Sequence, residues 1–229
     1  MENAMFEFNR RNNSDQSGHE HVAGTIRTVR QEDPLYPCDR VAEVYGSQCY
    51  HMQSSVMLML NGGDFQQTAH TCETAPDQFV ATCYESIGRD AAGYALRDPM
   101  KAAALCMVGS EHYREFCFGG AAPTLTNGSG SPADGFAVCR IAPAAAKDHC
   151  YGAVGEYVAS LYVDADRRAS ACAEVEEVYV SSCRQAADLD VPAALGERHT
   201  DTSLQRPGRR HARADERDVA DVGWITSQQ

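Results

Sequence analysis

Ten cysteines stand in five pairs of identical spacing: Cys38/Cys49, Cys72/Cys83, Cys106/Cys117, Cys139/Cys150 and Cys172/Cys183 are each C-x10-C. The pairs recur at intervals of 34, 34, 33 and 33 residues. A spacing repeated five times makes this a repeat protein, in which one supersecondary unit is copied along the chain and stacks on its neighbours.

The surrounding residues define the unit. Eight positions before the first cysteine stand Asp64, Asp98, Ser131 and Asp164, types that cap a helix by accepting from an orphan backbone N–H. Pro99 and Pro132 follow two of them, at the first helical position where a missing N–H does no harm. Three before the cysteine come Ala69, Ala103, Phe136 and Ala169, a mostly small face. Pro76-Asp77, Gly109-Ser110 and Pro143 interrupt the spacer between the two cysteines. Beyond the break, Tyr45, Phe79, Tyr113 and Tyr179, with Ala146 as the exception, form an apolar row four before the second cysteine. Gln53, Ile87, Ala121 and Val154 lie four after it, and Met57, Ala91, Leu125 and Val158 eight after it, which is the core stripe of a second helix. Five after it come Ser54, Gly88, Ala122 and Gly155, small enough to admit a neighbouring helix. The expected unit is a helical hairpin, and the expected fold is all-α, an α-solenoid of about five disulfide-stapled hairpins.

A turn midway between the cysteines brings both sulfurs to the same height, so pairing within each hairpin uses all ten. Joining each second cysteine to the next first one would strand Cys38 and Cys183. C-x10-C is too wide for a zinc knuckle, and disulfides imply an oxidising compartment: periplasm, extracellular space or mitochondrial intermembrane space. The opening residues Met1 to Phe8 lack the basic and apolar regions of a secretory signal. The chain is therefore read as trimmed, as part of a longer reading frame, or as a reduced cytosolic protein.

Three regions are expected: a polar arm at 1–32 that could be a remnant of a preceding repeat, the repeat domain at 33–188, and a charged, disordered tail at 189–229 holding the lone Trp224. Asp33-Pro34-Leu35-Tyr36-Pro37 makes the first repeat an irregular cap without a leading helix. Gly119 to Gly130, with Pro123 inside, predicts a short or kinked helix in the third repeat.

A net charge of −12 with no basic stripe argues against a nucleic-acid partner. The longest apolar run falls well short of the roughly 20 residues that span a bilayer. No catalytic motif is present: there is no C-x-x-C thiol pair and no G-x-S-x-G. His19-Glu20-His21 is a local candidate for copper, zinc or nickel, against the plain reading of a solvated linker. No other metal or cofactor is called for. Tyr50, Tyr84, Phe118 and Tyr151 each follow a second cysteine, about 100° from the core row, and are expected to be half exposed along one edge. Such a ladder either packs repeats together, the commoner role, or forms a recognition surface.

The 33- to 34-residue helical hairpin is similar to the tetratricopeptide-like repeats. Its stapled helices resemble the cysteine-rich, secreted helical-repeat proteins of bacteria and a cysteine-stapled cytochrome-oxidase assembly factor of the intermembrane space. The resemblance covers about residues 33 to 187 and implies a non-enzymatic scaffold presenting a concave surface to a protein or peptide. The alternatives are a metal- or haem-handling factor using the His19/His21 arm, and an enzyme whose site the sequence does not display.

Overall fold

The computed structural model describes residues 30 and 32–189; the 1–29 arm and the tail from 190 onward, with His19 and His21, lie outside the described residues. Nine α-helices are formed among the described residues: α1 Glu43–Leu60, α2 Phe65–Cys72, α3 Asp77–Tyr94, α4 Pro99–Cys106, α5 Arg114–Ser129, α6 Pro132–Ile141, α7 Ala144–Leu161, α8 Ala165–Cys172 and α9 Val180–Ala186. Short 3-10 turns at Glu111–Tyr113 and Glu177–Tyr179 lead into α5 and α9. The described residues form no strand, only an isolated bridge between Arg30 and Asp33. The class is all-α.

Each short helix starts where its cap residue stands. Asp64 accepts from the Gln67 N–H, Asp98 from those of Met100 and Lys101, Ser131 from Ala133 and Asp164 from Arg167, each satisfying a donor that the first helical turn leaves open. Pro99 and Pro132 occupy the first turns of α4 and α6. The turn from α1 to α2 uses Gly62 and Gly63 at φ of 72° and 89°; at the same two places before α4 stand Leu96 and Arg97, at 52° and 69°.

All five disulfides close within their own repeat. Cys38 bonds Cys49, Cys72 bonds Cys83, Cys106 bonds Cys117, Cys139 bonds Cys150 and Cys172 bonds Cys183, with Cα–Cα distances of 5.4 to 5.7 Å. In the last four repeats the first cysteine lies on one helix and the second on the helix after it, and the turn between them sets these distances. They fall in the range a disulfide accepts without backbone movement. The first repeat departs from this pattern: Cys49 lies on α1, but its partner Cys38 sits in a run of turns. The described residues include no free cysteine. Five such bonds are those of a protein from an oxidising compartment.

The long helices pack side by side in chain order, α1 on α3 on α5 on α7, with the seven-residue α9 packed on α7; of the short helices, α4 packs against α6. The core stripe is where the spacing places it: Ile87, Ala121 and Val154, then Met57, Ala91, Leu125 and Val158, are all buried. Close approach depends on the small column beside it. A Cβ on Gly88 would lie 1.9 Å from the Cys117 carbonyl oxygen of the next long helix, and one on Gly155 2.5 Å from that of Cys183. Much of the core is alanine, including Ala91, Ala102, Ala103, Ala121 and Ala122. One buried methyl group contributes about 0.8 kcal/mol and one short-loop disulfide about 2–3 kcal/mol, so each staple matches about three buried alanines. In an interior this poor in large side chains the covalent links are a substantial share of stability.

Three departures from the expected repeat have physical causes. No described helix precedes Cys38; the segment from Asp33 is a succession of turns fastened by Gln53, whose Nε2 donates to the Pro34 carbonyl at 2.6 Å and to that of Tyr36 at 3.0 Å. A polar residue in the core stripe thereby does the work of the missing helix, and its amide is not left orphaned. The apolar row four before the second cysteine is corrected at its first member: Tyr45, four before Cys49, is 50% exposed. No described ring of an earlier repeat lies over it, whereas Phe79 one repeat later is covered by Tyr50. The expectation of a short helix in the third repeat is also corrected: α5 runs unbroken for 16 residues through Pro123 and ends at Gly130, which takes the left-handed φ of 70°. Burial of Ala121, Ala122, Leu125 and Thr126 on both flanks outweighs weak intrinsic propensity.

Candidate functional site

The stacked helices α1, α3, α5, α7 and α9 share an open groove of about 910 Å³ running from His51 on α1 to Gln185 on α9. Its construction follows the repeat. The second residue after every second cysteine, namely His51, Glu85, Gly119, Gly152 and Gln185, lines it. One turn further along the middle helices stand Arg89, Pro123 and Glu156, also on its walls. Positions four apart share a helix face, so the groove is that face of five successive helices, turned away from the core stripe.

Its middle is low because side chains are missing there. Gly120 packs so tightly that a Cβ would come within 2.0 Å of the Glu85 carbonyl oxygen, and a Cβ on Gly119 would meet His149 Nε2 at 2.5 Å. The His149 ring is fixed edge-on against Phe116, with centroids 5.2 Å apart. Gly152 faces open space, with nothing within 4 Å of its would-be Cβ.

The cysteines frame this surface without belonging to it. Cys49, Cys83, Cys117, Cys150 and Cys183 each stand two residues before a groove residue, yet all five, like their partners Cys38, Cys72, Cys106, Cys139 and Cys172, are buried and none lines the groove. Two residues along a helix turn a side chain by about 200°, which sends the sulfurs inward where the groove column faces out. Their place is in the core, as staples rather than as site residues.

Charge is unevenly committed. The Arg89 guanidinium donates to the His51 carbonyl, to Ser55 Oγ at 2.8 Å and to Asp90 Oδ1 at 3.0 Å. Asp90 in turn accepts from Ser54 Oγ at 2.6 Å, and Ser54 and Ser86 share a 2.6 Å hydroxyl contact. This network ties α1 to α3 and absorbs the arginine's charge. Asp148 accepts from Ser182 Oγ. The Glu85 and Glu156 carboxylates make neither hydrogen bond nor ion pair among the described residues.

The predicted half-exposed ladder is corrected. Tyr50, Tyr84, Phe118 and Tyr151 are at most 1% exposed, and each tyrosine ring packs against the next repeat. Tyr50 meets Phe79 at 5.1 Å, Tyr84 meets Tyr113 at 5.2 Å and Tyr151 meets Tyr179 at 5.4 Å. In each case the residue after one second cysteine packs on the residue four before the next, so two separate sequence columns are the halves of one contact. Phe118 has buried Ala146, four before Cys150, at the corresponding place, and is the ring without a hydroxyl. Tyr84 donates to Glu73 on the turn of its own repeat, and Tyr151 donates to Glu176 on the turn of the next repeat. Burial, and then those carboxylates, raise both phenol pKa values. Lys147 and then Tyr151 hold Glu176 below the ordinary carboxylate value.

Among the described residues no group of three His, Cys, Asp or Glu side chains could hold a metal ion, and no helix there is long and apolar enough to cross a membrane. The column that builds the groove escapes a sequence reading because His, Glu, Gly, Gly and Gln share no chemical type; only the cysteine register could have aligned them. In comparisons with known proteins, no family model, curated protein or solved structure matches this chain.

Proposed function

We propose that the protein is a non-enzymatic scaffold, a disulfide-stapled α-solenoid of tetratricopeptide-like type, that holds a protein or peptide segment in the groove of its long helices. The observation that carries this reading is that every repeat contributes the same position to one continuous open surface. A surface shared by five repeats suits an elongated ligand, the common use of stacked helical pairs. The staples fix the spacing of the walls before a ligand arrives, which lowers the ordering cost of binding. The compartment is extracytoplasmic: periplasmic, secreted or intermembrane.

Panning a random-sequence peptide library against the oxidised protein, and retesting the enriched peptides on Gly152→Trp, tests this. Gly152 faces open space, so the indole fills the groove without displacing the core; Gly152→Ala is the control. Enriched peptides should bind Gly152→Ala normally and lose about tenfold or more on Gly152→Trp. Equal binding to both variants would place the binding surface elsewhere.

A further inference from the structure

We propose that the segment held in the groove is cationic, carrying arginine side chains that pair with Glu85, Asp148 and Glu156. This rests on the groove being the binding surface, and it adds the chemistry of the occupant.

Asp148, Gly152 and Glu156 lie four apart on α7 and share one stripe of its surface. The two carboxylates are therefore about 12 Å apart along the helix, with a side-chain-free saddle between them. A peptide backbone crossing at Gly152 brings its flanking side chains to an acidic group on either side. Glu85 supplies a third carboxylate from α3. Arg89 is the sole arginine or lysine among the described residues of the groove, and its donors are turned to His51, Ser55 and Asp90. Two of the three acids thus have no counter-charge among the described residues, and Asp148 has only a serine hydroxyl.

Tyr157, beside Glu156, also lines the groove, and among the described residues its ring stacks on no other aromatic. A guanidinium matches both features, since its planar fork pairs with a carboxylate while its face lies over a ring. A bare metal ion does not, because the acids are spread along the groove rather than gathered in threes. The net charge of −12 favours approach of a positive segment.

The test titrates the oxidised 229-residue chain with a fluorescent nonapeptide of alternating Arg and Ala, and with its Glu-for-Arg counterpart, by anisotropy. The Arg peptide should bind and the Glu peptide should not. Glu85→Gln/Glu156→Gln should weaken binding about tenfold, Gly152→Trp at least as much, and added salt progressively. Glu43→Gln/Glu177→Gln, which removes the same charge at exposed sites outside the groove, should leave it within about twofold. Equal loss on both double variants, or none on either, overturns the proposal, since the peptide would then sense only net charge. Library peptides that are sensitive to Gly152→Trp but lack Arg and Lys overturn it while leaving the groove reading intact. If no library peptide is sensitive to Gly152→Trp, the groove reading fails first.

Discussion

The Tyr84 hydroxyl donates to Glu73 Oε1 at 2.6 Å and accepts from the Ser110 N–H at 2.9 Å, so one buried phenol joins the interhelical turns of two consecutive repeats. Tyr50 occupies the same position one repeat earlier, and its buried hydroxyl has no partner among the described residues. Phenylalanine should therefore act oppositely at the two sites. Tyr84→Phe removes a hydrogen bond to a carboxylate and the acceptor of a backbone N–H and should cost about 1–3 kcal/mol; Tyr50→Phe removes an orphan and should be neutral or slightly stabilising. Urea unfolding of both variants at neutral pH measures the difference.

Alkaline pH should unfold the protein through these phenols. Burial, with Asp39 adding to it, pushes the Tyr50 pKa from 10.0 up to about 12, and Tyr84 and Tyr151 are raised in the same direction. A folded-state pKa above the unfolded one means that the native state holds more protons between the two. Stability is then full below about pH 10 and is lost as pH rises toward the folded value. Tyrosinate absorbance should show the buried phenols ionising late and together with loss of helical circular dichroism. Early ionisation with helix retained would contradict their burial.

Two glycines in one helix type should respond oppositely to the same methyl group. Gly88→Ala drives a Cβ toward the Cys117 carbonyl 1.9 Å away, which the backbone of the next helix cannot yield cheaply, and should cost about 1–3 kcal/mol or more. Gly152→Ala meets nothing and should stabilise by about 0.5–1 kcal/mol through helix propensity alone. Thermal unfolding of the two variants in parallel is sufficient to check this.

Leu96 is 86% exposed at a φ of 52°, a conformation that Gly62 takes without strain at the matching turn. Left-handed backbone costs a residue with a Cβ about 1–2 kcal/mol, part of which glycine returns as greater unfolded-state entropy. Leu96→Gly should raise the melting temperature modestly, by about 0.5–1 kcal/mol of stability. A lowered melting temperature would show that the exposed leucine makes contacts that matter.

The amino-acid sequence by itself determined the period, the disulfide partners and the starts of the short helices. The period is plain in the cysteine spacing, and the other two are set by chemistry within about ten residues: Asp64 caps the amide three residues on, and Cys72 reaches Cys83 around one turn, as Cys139 reaches Cys150. Tertiary structure alone decided the rest, because it depends on residues about one repeat away. The rings of Tyr50, Tyr84 and Tyr151 lie off the core stripe of their own helices and are buried because the following repeat closes over them. Tyr45, in the same row as buried Phe79, is exposed for the converse reason, having no described ring before it. Pro123 stays helical because packing on both flanks outweighs propensity. The groove column His51, Glu85, Gly119, Gly152 and Gln185 has no common residue type, since a solvent-facing position is free to vary while the backbone that carries it repeats. Local hydrogen bonds and covalent links are legible in one dimension; a surface assembled from five helices exists only once those helices are stacked.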